Sequence, residues 1–429
     1  MRIVFILKIL VFITAVCVIR LKIAKSVVII QNLGGFFIKL GQFLSTRPDL
    51  VSLKVSQILL QLQYNVGIDR AVNLHSTIPS NLAEEILELH ESPIKSASIA
   101  QIYKGKLKNG SEIAVKIVKP QERTSITADL ENFTKLVNML PRWKCLARFN
   151  FREIALNIKS AMLQELNLEN EAKNIAEFRY LFADYNKISA PRVYFEYSNA
   201  DVLVMEFICG KVIGEIAGDV NFCEKTKLNI AKLLLDAHLI QVYMHHKFHA
   251  DVHHNNIMYG ENGVLYFIDF GIYSEISVQD SNAILEIIRA FLRRDYTEIA
   301  KIHQQIGYVP TGTNLEDFSI SCKEIGDLYL DKEQFSIGQI FRSLMQVSSK
   351  FGMEIQPQLV LLQKTMIMTE GVVKSLQANA NIWQMSSKMI DKIYLKLAIY
   401  RCVRAVKSVK SAGELPSLFG KICSIIKGI

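Results

Sequence analysis

Residues His249–Gly271 read HADVHHNNIMYGENGVLYFIDFG. Asp251 is followed five positions later by Asn256, and Asp269-Phe270-Gly271 closes the run. Two short apolar runs, Ile257–Tyr259 and Val264–Ile268, flank a glycine-bounded turn at Gly260–Gly263. That pattern predicts loop, strand, tight turn, strand, loop. Loops at one end of such a hairpin bring Asp251, Asn256 and Asp269 together. A carboxylate and an amide oxygen suit a hard cation such as Mg2+, and a second carboxylate can orient a nucleophile.

D-x-x-x-x-N followed by D-F-G across a hairpin of this length is the layout of kinase catalytic and metal-binding loops. The matching nucleotide parts lie upstream. Ser96–Tyr103 reads SASIAQIY, and an Asn109-Gly110 turn leads into Ile113–Val118, which carries Lys116 within AVKI. Asn-Gly between two apolar runs predicts a hairpin. Small side chains at Ala97, Ser98, Ile99 and Ala100 would let backbone N–H groups approach phosphates, with Lys116 reaching the α and β oxygens. A strand lysine alone would read as a solvated edge residue. The order of small-residue loop, Lys116, Asp251, Asn256 and Asp269 reverses that reading.

Gln121–Leu181 is helical in pattern, with a break near Pro141. Glu171 is the candidate carboxylate to hold Lys116, with Glu165 and Glu169 as alternatives on the same acidic segment. Asp201–Phe207, DVLVMEF, predicts an apolar strand, and the backbone of Glu206 to Ile208 would meet adenine. Leu228–His246 reads as the long helix before the catalytic loop, and Val278–Leu395 is helical by pattern. His245, His246, His249, His253 and His254 form a cluster, but no H-E-x-x-H or thiol set accompanies it.

The chain has 429 residues, a net charge of +9, seven scattered cysteines and no C-x-x-C pair. Its sequence pI is about 9.0 and its mean hydropathy +0.19. Basic and hydrophobic together fit an anionic membrane surface better than nucleic acid, for which no signature appears. The cysteine usage fits a reducing compartment. Ile3–Ile19 is apolar except Lys8 and Thr14 and short for a spanning helix; it could still span with Lys8 and Arg20 snorkelling, lie in the interface, or pack as a buried helix. No small-residue cleavage site precedes the basic cluster, which disfavours a signal peptide. Gly34–Leu50 reads GGFFIKLGQFLSTRPDL, an amphipathic helix ended by Pro48, with Lys39 and Gln42 on one face. Val51–Tyr64 and Ile78–His90 give two further helical patterns, and Tyr400–Ile429 mixes basic and apolar residues.

From about Gly34 to about Asn381 the chain resembles the UbiB family of atypical, protein-kinase-like ATPases associated with ubiquinone biosynthesis. K-x-G-Q appears as Lys39-Leu40-Gly41-Gln42, followed by STRPDL, a combination ordinary kinases lack. The alanine-rich loop aligns with Lys95–Gln101, the E-x-D motif with Glu165 and Asn167, and the helix glutamate with Glu171. The resemblance implies an α+β, protein-kinase-like two-lobed fold with a helical N-terminal extension over the active site. The expected divisions are a membrane-associating helix over 1–27, the extension over 28–92 and an N-lobe over 93–207. A helical C-lobe over 208–399 and a basic tail over 400–429 complete them. It implies Asp251, Lys116 and Glu171 as catalytic residues, Asn256 and Asp269 as metal ligands, and ATP and Mg2+ as cofactors. Lys39, Gln42 and Glu165 would form a gating set, with a Lys39–Glu165 ion pair.

The implied partners are a membrane lipid or quinone precursor and the ubiquinone-biosynthesis enzymes, at the cytoplasmic face of a bacterial inner membrane. A phosphotransferase acting on a protein or small-molecule hydroxyl, and a nucleotide-sensing scaffold without turnover, are the alternative readings. Three departures stand out. Lys95 and Ser96 replace alanines and Ala100 a common glycine, Asn167 replaces the second acid of E-x-D, and no terminal pair of spanning helices is visible.

Overall fold

The computed structural model describes residues 2–18, 23–45, 51, 55, 59, 62, 72–97, 99–139, 151–330, 336–353, 356–377 and 380–408. The chain divides into two units. One comprises Met1–Tyr185, Ser189–Cys209 and Tyr266–Gly271, and the other Asn186–Ile188, Gly210–Leu265 and Ile272–Ile429.

The first unit opens with helices α1 (Arg2–Val18), α2 (Ile23–Asn32) and α3 (Gly35–Ser45). One stripe of α1 buries Phe5, Phe12 and Ala15. Phe5 meets Phe36 at 5.8 Å and Phe12 meets Phe37 at 5.7 Å between ring centroids. Gly34, at φ +107°, takes the left-handed turn between α2 and α3 that a Cβ would strain. α4 (Leu74–Thr77) and α5 (Ser80–Glu85) lead into strand β1 (Ile86–Leu89). The helical pattern over Ile78–His90 therefore holds only in its first half. Ile86–Leu89 instead pairs antiparallel with Gly105–Leu107, and a ladder with tertiary partners outweighs a short helical period.

Strands β2 (Lys95–Ser96), β3 (Ala100–Leu107) and β4 (Glu112–Val118) follow. Then come α6 (Pro120–Met139), α7 (Phe151–Glu165), α8 (Leu168–Leu181), β5 (Ile188–Ser189) and β6 (Val202–Glu206). The five-stranded sheet runs β1-β3-β4-β6 with β2 also on β3. The predicted Asn-Gly turn joins β3 to β4. Gly110 sits at φ +88°, and the Ser111 N–H donates to Asn109 Oδ1 at 2.9 Å.

Strand alternation decides what β4 presents. Ile113, Val115 and Ile117 join Tyr103, Leu107, Val202 and Val204 in one apolar cluster. Ala114, Lys116 and Val118 take the opposite face. α8 buries Leu168, Glu171, Ala172, Ile175 and Phe178, a helical stripe with one acid in it.

In the second unit, β7 (Gly210–Val212) precedes α9 (Ile213–Gly218) and α10 (Glu224–Met244). β8 (Lys247–His249), β9 (Ile257–Gly260) and β10 (Leu265–Phe267), whose last two residues belong to the first unit, come next, then β11 (Tyr273–Glu275). β7 pairs with β9, and β8 with β11, both antiparallel. The turn predicted at Gly260–Gly263 closes through the Gly260 N–H to Val264 O at 2.9 Å, with Gly263 at φ +73°.

The rest is helical: α11 (Val278–Leu292), α12 (Tyr296–Gln305), α13 (Leu315–Tyr329), α14 (Ile337–Lys350), α15 (Pro357–Leu376) and α16 (Ile382–Ser408). Ser277, Asp295, Asn314 and Ser336 cap four of these by accepting first-turn N–H groups, which fixes where each helix begins. The tail expected to be basic and amphipathic enters the described residues only as the end of α16; 409–429 lie outside them.

Candidate functional site

Lys116 stands in the centre of the sheet, opposite Ile102 on β3 and Leu203 on β6. Its Nζ donates to both carboxylate oxygens of Glu171, at 2.6 and 2.8 Å. Asp269 Oδ2 is 3.5 Å away. Burial alone would push the Lys116 ammonium down, but the Asp269 and Glu171 carboxylates outweigh it and hold the lysine above its ordinary value. Glu171 also accepts from the Phe270 N–H at 3.4 Å, while Asn174 Nδ2 donates to Phe270 O at 3.1 Å. Phe270 is fully buried against Phe178, 5.1 Å away. The D-F-G segment is thus held to α8 at three points, and Asp269 keeps a partly exposed carboxylate beside the lysine.

The loop before β3 is pinned from β4. Lys119 Nζ donates to Ala97 O and the Lys119 N–H to Ile99 O, each at 2.8 Å. The Ala97 N–H is itself committed to Ala100 O at 2.8 Å, so it is not open for a phosphate. Ser98 lies outside the described residues. At the expected hinge, the Glu206 N–H donates to Arg192 O and the Phe207 N–H to Glu112 O. Of the segment named from sequence, buried Ile208 follows these two committed amides.

Lys39 of α3 pairs with Glu165 at the end of α7, and Gln42 Nε2 donates to Leu62 O at 3.4 Å. Asn167 has taken on a different task from the acid it replaces. It caps α8, with Oδ1 accepting from the Glu169 N–H at 3.0 Å. Glu169 itself is exposed, which leaves Glu171 as the acid on the buried stripe.

In the second unit, the backbone N–H groups of His249, Ala250 and Asp251 anchor the loop expected to be catalytic. The His249 N–H donates to Gln241 Oε1 at 2.8 Å, the Ala250 N–H to Ile272 O at 3.0 Å, and the Asp251 N–H to His249 Nδ1 at 3.2 Å. Asn256 is buried, and its Nδ2 donates to Asp251 O at 3.2 Å and Oδ2 at 3.4 Å. That orientation leaves the amide oxygen as a ligand atom. His253 Nδ1 accepts from the Asn255 N–H, so Nε2 carries the proton of the neutral ring, 3.6 Å from Asp251 Oδ2. Among the described residues, buried Asp251 Oδ1 has no hydrogen-bond partner.

Two residues of α15 escaped the sequence reading. Lys364 is pushed below its ordinary value by burial, with the Asp251 carboxylate opposing the shift. Ser375 Oγ lies 2.9 Å from His254 Nε2. They are three helical turns apart and share a face of α15. A lysine flanked by Gln363 and Thr365 inside the mostly apolar run LVLLQKTMIM was the available signal.

The donor set suits magnesium nucleotide. Mg2+ takes one or two protein oxygens and fills its shell with phosphates and water. Within the first unit Asp269 carries such an oxygen beside Lys116; within the second unit Asn256 carries an amide oxygen. Among the described residues no group of three or more His, Cys, Asp or Glu is placed to hold a metal. When bound, the ion would neutralise phosphate charge.

The ABC1 atypical kinase-like domain matches residues 69–303, and the UbiB helical domain matches residues 322–381. A "Probable protein kinase UbiB" of Erwinia tasmaniensis is 32% identical over 408 residues, covering 91% of this chain and 75% of that protein. Its namesake from Providencia stuartii is 31% identical over 411 residues, covering 91% and 74%. A Mycobacterium tuberculosis protein solved as an erythromycin complex shares the fold at a TM-score of 0.55 and 19% identity, covering 81% of this chain and 90% of that one.

Proposed function

The chain belongs to the UbiB family of atypical kinase-like proteins, and on that footing we propose that it is a membrane-associated, ATP- and Mg2+-dependent ATPase. It supports ubiquinone biosynthesis by making lipid quinone precursors accessible to the enzymes that modify them. The observation that carries the reading is the Lys116–Glu171–Asp269 cluster, a buried cation held by one carboxylate beside a second that is open to solvent. Kinase-like folds use such a lysine to hold nucleotide phosphates and such an aspartate to hold the metal.

In this reading Lys116 binds the α and β oxygens, and Glu171 holds its ammonium in place. Asp269 and Asn256 supply the metal oxygens, and Asp251 orients the attacking nucleophile. Ile99 and Ala100 border the phosphates, while Glu206 and Ile208 border the adenine. Lys39, Gln42 and Glu165 fix the K-x-G-Q helix.

Membrane association rests on α1. Its outer face exposes Val4, Leu7, Leu10 and Val11, each more than 40% accessible, opposite the buried Phe5 and Phe12. An apolar face on a basic chain suits the interface of an anionic bilayer. Among the described residues no helix is long and apolar enough to cross a membrane. The relatives are bacterial, and the proposed site of action is the cytoplasmic face of the inner membrane.

The test is phosphate release from ATP, with anionic vesicles present, by wild type and Asp269→Asn. Loss of release in the variant, together with failure to restore quinone content in cells lacking the protein, supports the reading. Unchanged release by Asp269→Asn would end it. Stable labelling of an added hydroxyl acceptor instead of free phosphate would replace it with a phosphotransferase.

A further inference from the structure

Lys364 of α15 and Asp251 belong to the same unit, and contacts on both sides hold them together. Leu361, one turn before the lysine, packs on the core cluster that includes Ala250. Ser375, three turns after it, has Oγ 2.9 Å from His254 Nε2. Ala250 and His254 bracket Asp251 in the chain, so α15 is fixed along the whole Asp251 loop. Lys364, Gly371 and Ser375 recur on one helical face. A Cβ at Gly371 would meet nothing within 4 Å, so this face is uncovered between the lysine and the serine.

The charges on this face are incompletely used. Asn256 Nδ2 and His253 Nε2 both approach Asp251 Oδ2, at 3.4 and 3.6 Å. Buried Oδ1 has no hydrogen-bond partner among the described residues. Lys364 is partly buried, and among the described residues its ammonium makes no hydrogen bond. The Asp251 charge attracts it, but burial outweighs that attraction. An ammonium withdrawn from water without an acceptor costs stability. A fold that keeps one is suited to an anion that arrives later. Phosphoryl transfer asks little covalent chemistry of a protein, and its barrier falls through positioning and through cations aimed at the phosphoryl oxygens. Where Asp251 orients the nucleophile, the anion beside this lysine is the phosphoryl group under attack.

We propose that Lys364 is a further catalytic residue, its ammonium donating to an oxygen of the terminal phosphoryl group of ATP while Asp251 holds the attacking water. The inference rests on the ATPase reading and adds a residue to it. The water oxygen bonds to the terminal phosphorus, the bond from phosphorus to the bridging oxygen breaks, and its electron pair leaves with ADP. The water proton passes to Asp251 and then to solvent. Lys364 keeps its own protons and offsets charge on the phosphoryl oxygens.

Calorimetric titration of ADP, and of an ATP analogue with a methylene β,γ-bridge, into the full chain with Mg2+ tests the contact without turnover. Lys364→Met keeps the apolar stem and removes the charge. ADP affinity should stay within about twofold of wild type, while the analogue should weaken about tenfold to a hundredfold, the worth of one charge-assisted hydrogen bond. The kcat of phosphate release should fall about a hundredfold. Lys364→Arg should recover part of both losses. Because the ammonium lacks an acceptor in the unliganded protein, Lys364→Met should unfold at the urea midpoint of wild type or above it. Equal weakening of ADP and analogue, or no weakening of either, would overturn the inference; a fallen urea midpoint beside equal weakening would assign Lys364 a structural role instead. Those outcomes leave the ATPase reading standing if Asp269→Asn still abolishes phosphate release. A wild type that binds neither nucleotide would overturn the reading and the inference together.

Discussion

Lys116 on the central strand donates to both carboxylate oxygens of Glu171 on α8, at 2.6 and 2.8 Å, and both residues are buried. A buried ion pair contributes little net stability, but removing one partner strands the other charge in a low dielectric. Lys116→Met should therefore destabilise the protein by about 3–5 kcal/mol. The Lys116→Met/Glu171→Leu double variant should recover most of that loss. Urea unfolding of the two proteins checks this, and ATP binding should be absent from both. A double variant no more stable than the single one would mean that the pair itself, not the stranded charge, carries the energy.

Helix α3 should depend more on its aromatic residues than on its ion pair. Phe36 and Phe37 stack edge to face at 5.0 Å, and Phe36 also meets Phe133 of α6 at 5.7 Å. Phe37→Ala should cost about 3–5 kcal/mol. Lys39 and Glu165 remain partly accessible, at 13% and 25% of their side chains, so Lys39→Ala should cost about 1 kcal/mol or less. Unfolding curves measure both. If α3 gates turnover, Lys39→Ala should change the rate of phosphate release with little change in the urea midpoint.

Much of the first unit could be read from local pattern. The Asn109-Gly110 turn sets the β3–β4 hairpin, and alternation along β4 puts Lys116 on the face opposite Val115. Of Glu165, Glu169 and Glu171, the last shares the buried stripe of Leu168, Ala172 and Ile175, a matter of helical phase. Other features depended on partners distant in sequence. β1 became a strand because β3 was there to pair with it. The Lys39–Glu165 pair joins helices 126 residues apart, and only family resemblance anticipated it. Lys364 looked like any lysine until packing set it near Asp251. The committed N–H groups of Ala97 and Phe207 were also invisible, because no sequence pattern shows which amides a loop spends on itself.

Gly210 marks a close backbone approach in the second unit. A Cβ there would lie 2.4 Å from Tyr259 O and 2.8 Å from Gly260 Cα, and neither backbone atom can yield without separating β7 from β9. Gly210→Ala should destabilise by about 2–3 kcal/mol. Gly218→Ala is the control, since nothing lies within 4 Å of its Cβ position. It should be neutral or slightly stabilising. Thermal unfolding of the pair decides the matter, and equal midpoints would show that the β7–β9 contact relaxes freely.

His238 on α10 should shape the acid limb of stability. It is buried, neither ring nitrogen has a hydrogen-bond partner among the described residues, and burial pushes its pKa down to about 4. In the unfolded chain the same ring takes a proton near pH 6.5. The unfolded state therefore binds more protons between pH 6.5 and about 4, and stability falls as pH falls through that window. The contribution is intact above pH 6.5 and amounts to about 3 kcal/mol across the full interval. His245, His246, His254 and His303 are lowered too, so His238 supplies one share of a common slope. His238→Leu cannot titrate and fills a similar apolar space. Its urea midpoint should decline less steeply than that of wild type from pH 6.5 to 4, with the two proteins alike in slope above pH 7. Parallel curves across the acid window would assign the slope to the other histidines.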